Sequence, residues 1–557
     1  MILLVLMRLH AFGLPLEPDE CNYAYIGQRL LAGDRLYVDV WDHQPPAVFA
    51  LFATTIALAG SDTGVFRLMA IGFSLASLVL VYWIVRQASG RLGAGGFMAG
   101  VAAIVFALLS SDPGTAGEGC NREIYMNIFG LAALAALFAL DDSARARSAR
   151  REYVLIALAG LLLGIGSAFK TVMAVQWLAL ALWLVWRYWR LGARRALTAV
   201  LVFAAGPAVL WALIFGYFGL TGRFALFYDA VFAYNIDYAG AKTTLLGRFL
   251  AFFVEGYHRD ILVSGAPLWI AAVVALPVLI ALTAPAGRRV RDARSAPGSA
   301  EAFAARHQAG LILAYVLGSF IAVCLPGHSW PHYYYLLIPP LVILVAMTLE
   351  QMGRSVLLGG SARLARAMCA VGVLWTLWVF VRQAEFYLNV PTVKLTDVRY
   401  ESRDWWDLAQ AANVARVTDP SDTVLVTGSD AGVYFYSGRR AATRYTMMTG
   451  LDETFPGYEE RRRNLMNDLR RFRPRVILVV NPEAATGEQP QSRYTSWKPF
   501  PELDEFIRRN YLPAAPGEQF KDFNDRRPTE PIMEALMDKT RPVPEIDWYW
   551  HRAFLSR

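Results

Sequence analysis

The sequence predicts a mainly α-helical, polytopic membrane protein with about eleven transmembrane helices, an outer-face interfacial helix in the first loop, and a C-terminal extracytoplasmic α/β domain. Three observations carry this expectation. Of 557 residues, 55% are hydrophobic and only 18% charged, too apolar a balance for a water-soluble chain of this length. Apolar runs recur through residues 1–384, with arginine clusters in every second connection. From about Glu385 onward charge rises and the apolar runs shrink.

The runs lie at about Met1 to Leu14, Val65 to Val85, Phe97 to Ser110, Ile124 to Leu140, Tyr153 to Ala168, Thr171 to Trp186, Ala196 to Phe218, Pro267 to Ala284, Ala309 to Leu325, Tyr333 to Leu349 and Ala365 to Val381. Each is of spanning or near-spanning length. The first carries Arg8 and His10 inside its apolar stretch and shows no small-residue cleavage pattern, which favours an uncleaved first helix over a signal peptide. Ala47 to Ala59 is apolar but short and follows Gln44-Pro45-Pro46. With both flanks on one side of the membrane it is expected to lie in the outer interface. Gly96 and Gly100 are spaced as a weak helix-contact signal.

Connections bearing Arg86 and Arg91, Arg145 to Arg151, Arg187 to Arg195, Arg288 to Arg306 and Arg354 to Arg366 read as cytoplasmic by the positive-inside rule. The formal charge of +8 is therefore a topology signal, with no basic face for nucleic acid. The alternate connections fall outside. They collect Asp19, Glu20, Asp39, Asp42, Asp112, Glu118, Glu123, Lys170, Asp229, Asp237, Glu255, His258, Arg259, His328 and His332. Residues 385–557 form the second domain, with strands at Val424 to Gly428 and Val476 to Val480 and a helix at Asn464 to Phe472. Its tail from Thr486 reads as loop. Four cysteines without a CxxC pair speak against a zinc module or a disulfide scaffold.

Acids, a lysine and histidines at a water–lipid boundary suit transfer of a group from a lipid-soluble donor to an acceptor arriving from outside. A carboxylate activates the acceptor hydroxyl while cations neutralise a departing phosphate. The rival class is a membrane transporter or a flippase for lipid-linked sugars. That class needs ionisable residues near the bilayer midplane, where this chain has few.

Pro18-Asp19-Glu20 with Tyr23-Ala24-Tyr25, then Gly33, Tyr37, Asp39 and Trp41-Asp42-His43-Gln44-Pro45-Pro46, resembles the first external loop of the polyprenyl-phosphate-sugar-dependent glycosyltransferases, the family of protein O-mannosyltransferases and lipid A aminoarabinose transferases. Gly166-Ser167-Ala168-Phe169-Lys170 is similar to their short motif ending in lysine, and Pro331-His332-Tyr333-Tyr334-Tyr335 through Pro339-Pro340 to the His-Tyr-Tyr motif of bacterial members. Gly428-Ser429-Asp430 with Tyr434 to Arg440 resembles the external domain of that subgroup. The resemblance implies the C-type glycosyltransferase membrane fold, a polyprenyl-phosphate-linked sugar donor, and an unspecified extracytoplasmic acceptor that is a protein, a lipid or a glycan. It also implies a multi-pass protein of the bacterial cytoplasmic membrane, its site and C-terminal domain facing the periplasm or exterior. Cys21 is a departure, since a small residue such as alanine is usual there.

By the same resemblance Asp19 takes the base role at the acceptor, Glu20 supports it, and Glu123 is the second loop acid. Taken alone, Pro18-Asp19-Glu20 is also a helix start signal, and Glu123 would suit a helix N-terminus without further duty. Lys170, at an outer turn, reads as a donor-phosphate ligand or a snorkelling side chain. His332 reads as a phosphate contact or an interface anchor. His328 and Arg8 are further phosphate candidates, Arg8 because a charge in a short first helix should face a polar cleft. A disulfide between Cys21 and Cys120 would staple the two acidic loops, with free buried thiols as the ordinary alternative. Carboxylates beside a phosphate can hold a divalent cation, but no ligand set has diagnostic spacing and no cofactor is assigned.

Overall fold

The structure, a computed structural model of the chain, describes residues 1–88, 95–141, 148–240, 244–254, 265–283, 299–328, 330–354, 361–389, 403–453, 455, 457–480, 500–513 and 533–538. Glu255, His258, Arg259 and the arginines Arg91, Arg145, Arg147, Arg288, Arg289, Arg291 and Arg294 lie outside the described residues.

All eleven apolar runs fall on helices, but of unequal length. The first run is only α1 (Ile2–Arg8) followed by a 3-10 turn (Leu9–Gly13). Then come α2 (Pro18–Leu31), α3 (Ala47–Ala59), α4 (Thr63–Ala88), α5 (Gly95–Leu109), α6 (Arg122–Phe138), α7 (Ala149–Ser167), α8 (Met173–Trp189) and α9 (Ala193–Leu220). Three shorter helices follow, α10 (Phe224–Tyr228), α11 (Tyr234–Gly240) and α12 (Leu245–Val254). The last of the membrane part are α13 (Ala266–Thr283), α14 (Ser299–Cys324), α15 (Ile338–Arg354) and α16 (Ala362–Ala384). Among the described residues six helical stretches are long and apolar enough to cross a membrane: Thr63–Ala88, Arg122–Asp141, Ala193–Leu220, Ala304–Cys324, Pro331–Arg354 and Ala362–Ala384. The chain is thus a multi-pass membrane protein, with the count of spans not fixed at eleven. The remaining apolar helices are shorter, with 19 residues in α7, 17 in α8 and 18 in α13, at the lower end of the spanning range.

The close helix approach is not where Gly96 and Gly100 pointed, for both face open space. It lies between α7 and α9, where a Cβ on Gly160 would collide with the backbone of Phe203 and one on Gly164 would lie 2.8 Å from Pro207 Cα. Small residues let two backbones meet, as membrane helix pairs require.

The second region is an α/β unit. Its five-stranded sheet has the order β2-β1-β3-β5-β4, with β1 (Thr423–Val426), β2 (Arg440–Ala441), β3 (Val476–Val480), β4 (Tyr511–Pro513) and β5 (Met533–Asp538). The first three are parallel, and β5 runs antiparallel to β3 and β4. Val424, Leu425 and Val426 are all fully buried, the continuous apolar run expected of a parallel strand covered on both faces. Helices α17 (Arg403–Val417), α18 (Gly432–Ser437), α19 (Tyr458–Phe472) and α20 (Pro501–Asn510) complete it. The tail expected to be loop therefore supplies a helix and two strands in its described parts. The antiparallel β5 hides from sequence reading because Met533–Asp538 alternates too weakly to announce a strand.

This unit sits on the first loop. Leu16 N–H donates to Tyr436 Oη at 2.7 Å, Ala441 N–H to Tyr25 Oη at 2.8 Å, and Trp41 N–H to Arg444 O at 2.9 Å.

Candidate active site

The site grows from the start of α2. Pro18 occupies its first turn, Glu17 is the N-cap, and a capping box joins Glu17 to Glu20, whose Oε2 accepts the Glu17 N–H at 3.1 Å. Proline at the first position and reciprocal side-chain caps are strong helix starters, and acids there oppose the helix dipole favourably. Successive helical side chains point about 100° apart. Asp19 and Glu20 therefore diverge.

Asp19 faces a cavity of ≈ 120 Å³ between the first loop, the start of α6, the Trp330–Tyr333 turn and the α/β unit, whose Ser429, Met447 and Gly450 complete the wall. Tyr23, one turn on, donates its hydroxyl to Asp19 Oδ2 at 3.4 Å. Arg122 Nη1 lies 3.9 Å and His332 Nε2 4.0 Å from the same oxygen, and Arg122 also donates to the Tyr23 hydroxyl. Burial raises the Asp19 carboxyl above its ordinary range, with Arg122 pulling the other way. An acid so held is a stronger base than one in open water.

Behind this wall Lys170 Nζ donates to Glu123 Oε1 at 2.7 Å and lies 3.2 Å from the centre of the Tyr333 ring. Arg122 Nε is 3.5 Å from that same Glu123 oxygen. Burial brings the Lys170 ammonium down to about 7, against the pull of Glu123. Asp19, Arg122, Glu123, Lys170 and His332, from four separate segments, thus form one connected cluster. Asp42 and His43 face the cavity from the first loop. Burial lifts Asp42 to about 7 and lowers His43 to about 3, so His43 is a neutral imidazole.

Other expected residues lie elsewhere. Glu20 does not line the cavity. It is fully buried, paired with Arg67 Nη1 at 2.9 Å, and accepts the Cys120 N–H. Arg67 in turn donates to Pro15 O at 2.8 Å. Arg8 is buried away from the cavity, donating to Ser110 O at 2.6 Å and Ser111 Oγ at 3.3 Å. Its partners are thus at the end of α5 and not at the phosphate position expected of it. His328 stacks on Tyr238 with ring centres 4.2 Å apart, one layer behind the cavity that Tyr238 lines. Cys21 and Cys120 are free thiols. Cys21 Sγ donates to Leu16 O at 3.4 Å and Cys120 Sγ lies 3.7 Å from Arg67, so the Glu20–Arg67 pair joins the two loops where the disulfide was expected.

Arg122 was given no role from the sequence, and Tyr23, Asp42 and Tyr333 were quoted within motifs without one. Arg122 carried a signal, as an arginine on the outer side breaks the positive-inside pattern. Tyr23 carried another, lying four residues from Asp19 and so on the same helix face. For a cation, Glu17, Asp19 and His332 each offer a ligand atom, all within 4.8 Å of one another.

No family model matches the sequence, and no curated protein does. Among solved structures the chain is similar to ArnT from Cupriavidus metallidurans bound to undecaprenyl phosphate, at 18% identity over 79% of this chain and 84% of that one, with a TM-score of 0.51. The apo state of the same protein matches at 15% identity over 79% and 83%, TM-score 0.51. The Archaeoglobus fulgidus oligosaccharyltransferase tethered with an acceptor peptide matches at 11% identity over 86% of this chain and 68% of that one, TM-score 0.50. At these identities the likeness is one of fold. The protein has the C-type glycosyltransferase membrane fold, and the resemblance read from its motifs holds at that level.

Proposed function

We propose that the protein is an integral membrane glycosyltransferase that moves a sugar from a polyprenyl-phosphate donor to an acceptor on the extracytoplasmic side of the bacterial cytoplasmic membrane, with inversion at the anomeric carbon. The observation that carries it is the setting of Asp19, a cavity-facing carboxylate with Arg122 and His332 about its oxygen at 3.9 and 4.0 Å. The acceptor O–H gives its proton to Asp19 as its oxygen attacks the anomeric carbon. The bond from that carbon to the phosphate oxygen breaks, and polyprenyl phosphate leaves with the electron pair. Arg122 and His332 line the position for the departing phosphate, and Lys170 supports them from behind Tyr333. Glu123 holds Lys170 and Arg122 in place. Glu17, Asp19 and His332 are the residues that would hold a divalent cation, which would supply further charge neutralisation. The lipid tail lies along the membrane helices, and the α/β unit roofs the site.

The test uses purified protein in liposomes with radiolabelled polyprenyl-phosphate sugars, comparing wild type with Asp19→Asn. Loss of a general base lowers transfer by about 10²- to 10⁴-fold. Equal sugar release or transfer by both proteins would remove Asp19 from the mechanism.

A further inference from the structure

The cavity has two unlike walls. Asp19, Arg122 and His332 form a charged one. The other is built from Trp41, Asp42, His43, Tyr234, Tyr238 and Trp330, an aromatic surface holding a single acid that the reaction above leaves unused. Trp41 and Tyr234 meet edge to face with centres 5.2 Å apart, and Tyr234 also lies 5.2 Å from His43.

Asp42 is only 4% exposed, yet it is firmly aimed. Its Oδ2 accepts from Asn22 Nδ2 at 2.5 Å and its Oδ1 from the Gln44 N–H at 2.8 Å. The Asn22 amide is held from both ends: Thr446 Oγ1 donates to Asn22 Oδ1 at 2.5 Å, and the NH₂ is turned to the acceptor-only carboxylate of Asp42. Thr446 belongs to the α/β unit. A residue of the roof thus sets the orientation of an acid in the cavity wall, through one amide. A carboxylate has about four lone-pair sites; with His43 Nδ1 3.5 Å from Oδ1 as a third neighbour, capacity is left for a further donor. Aromatic rings beside a fixed acceptor match a sugar, whose C–H faces are apolar and whose hydroxyls are donors.

Resting on the transferase reading, we propose that Asp42, with Trp41 and Tyr234, is the subsite for the transferred sugar: Asp42 accepts hydrogen bonds from sugar hydroxyls and so selects which sugar is taken. Thr446 and Asn22 are positioning residues for it. The charged wall holds the phosphate, the aromatic wall holds the ring, and the anomeric carbon lies between them.

The experiment measures binding to protein in nanodiscs at pH 8, above the Asp42 value of about 7, of undecaprenyl methyl phosphate, a bare lipid with the donor's single charge, and of a panel of undecaprenyl-phosphate pentoses and hexoses. Wild type is expected to bind at least one sugar-bearing lipid more tightly than the bare lipid. Asp42→Asn keeps its affinity for the bare lipid within about threefold and loses about 10- to 100-fold of the sugar's contribution, the range for a hydrogen bond to a charged group. Thr446→Val loses a smaller part of the same contribution, and Thr446→Ser restores it. An Asp42→Asn protein that keeps the sugar's contribution, or loses bare-lipid binding equally, overturns the subsite, as does a wild type that binds the bare lipid and gains nothing from any sugar. A wild type that prefers neither lipid over a zwitterionic phospholipid overturns the transferase reading itself.

Discussion

Asp19 and Glu20 are consecutive on one helix, and their surroundings could hardly differ more. The Asp19 side chain is 28% exposed, at a cavity, with Arg122 and His332 at about 4 Å. The Glu20 side chain is fully buried and closed in by Arg67, the Cys120 N–H and its own helix cap. Both are carboxylates facing an arginine. The difference is that Glu20 has its acceptor sites filled by protein donors in short contact, whereas Asp19 is held loosely and can take a proton or a ligand. A filled ion pair stiffens a fold, and a half-filled one can do chemistry.

The largest contrast should come from swapping each acid for its amide. Asp19→Asn is expected to lower transfer by about 10²- to 10⁴-fold while its melting temperature in detergent stays near that of wild type. Glu20→Gln should do the reverse, reducing thermal stability while the folded fraction keeps most of its turnover. If Glu20→Gln melts normally and is inactive, the division of labour between the two acids is wrong.

A second test enters from the other partner. Arg67→Met leaves Glu20 buried without its cation, a change of the kind that costs about 3–5 kcal/mol. The double variant Glu20→Leu with Arg67→Leu removes both charges and should recover part of that loss, because a dry pair replaced by apolar groups is often neutral. Calorimetry of the three proteins decides it. Double and single variants that melt alike would show that the pair carries no mutual stabilisation.

Much of the helical layout was legible because apolar runs and arginine clusters are set by the bilayer and need no tertiary information. The strands at Thr423–Val426 and Val476–Val480 were legible for a similar reason, as buried parallel strands are apolar throughout. What the sequence could not show was direction. Pro18-Asp19-Glu20 announces both a helix start and an acidic pair, and only the rotation of α2 separates the acid at the cavity from the one that caps the helix. Cys21 and Cys120 shared two loops that do meet, so proximity was inferred soundly, but an ion pair fills the junction. Arg8 did turn to polar partners, Ser110 O and Ser111 Oγ, which composition could suggest but not locate. Asp42 sat in the quoted Trp41-Asp42-His43 motif, yet its aromatic surroundings and its link through Asn22 to Thr446 arise from residues 234–238 and 446, too distant in sequence for any local pattern to reveal.

The smallest effect concerns Lys170, which lies between the two extremes: it is paired like Glu20 but adjoins the site like Asp19. Burial places its ammonium at about 7, well below its ordinary 10.5, so it is charged below that pH and neutral above. At pH 8 only about a tenth of such groups keep the proton. A polyprenyl-phosphate sugar is a phosphodiester whose single charge does not change in this window, so its affinity should fall by up to about tenfold from pH 6 to pH 8. Asp42, at about 7, ionises in the same direction and adds to the slope, so the comparison is with Lys170→Arg, whose guanidinium stays charged throughout. That variant should flatten the part of the profile due to the lysine while binding at least as well at pH 8. An unchanged slope in Lys170→Arg would mean that the ammonium stays protonated in its pair with Glu123, and Lys170 would then belong with Glu20 as a structural partner.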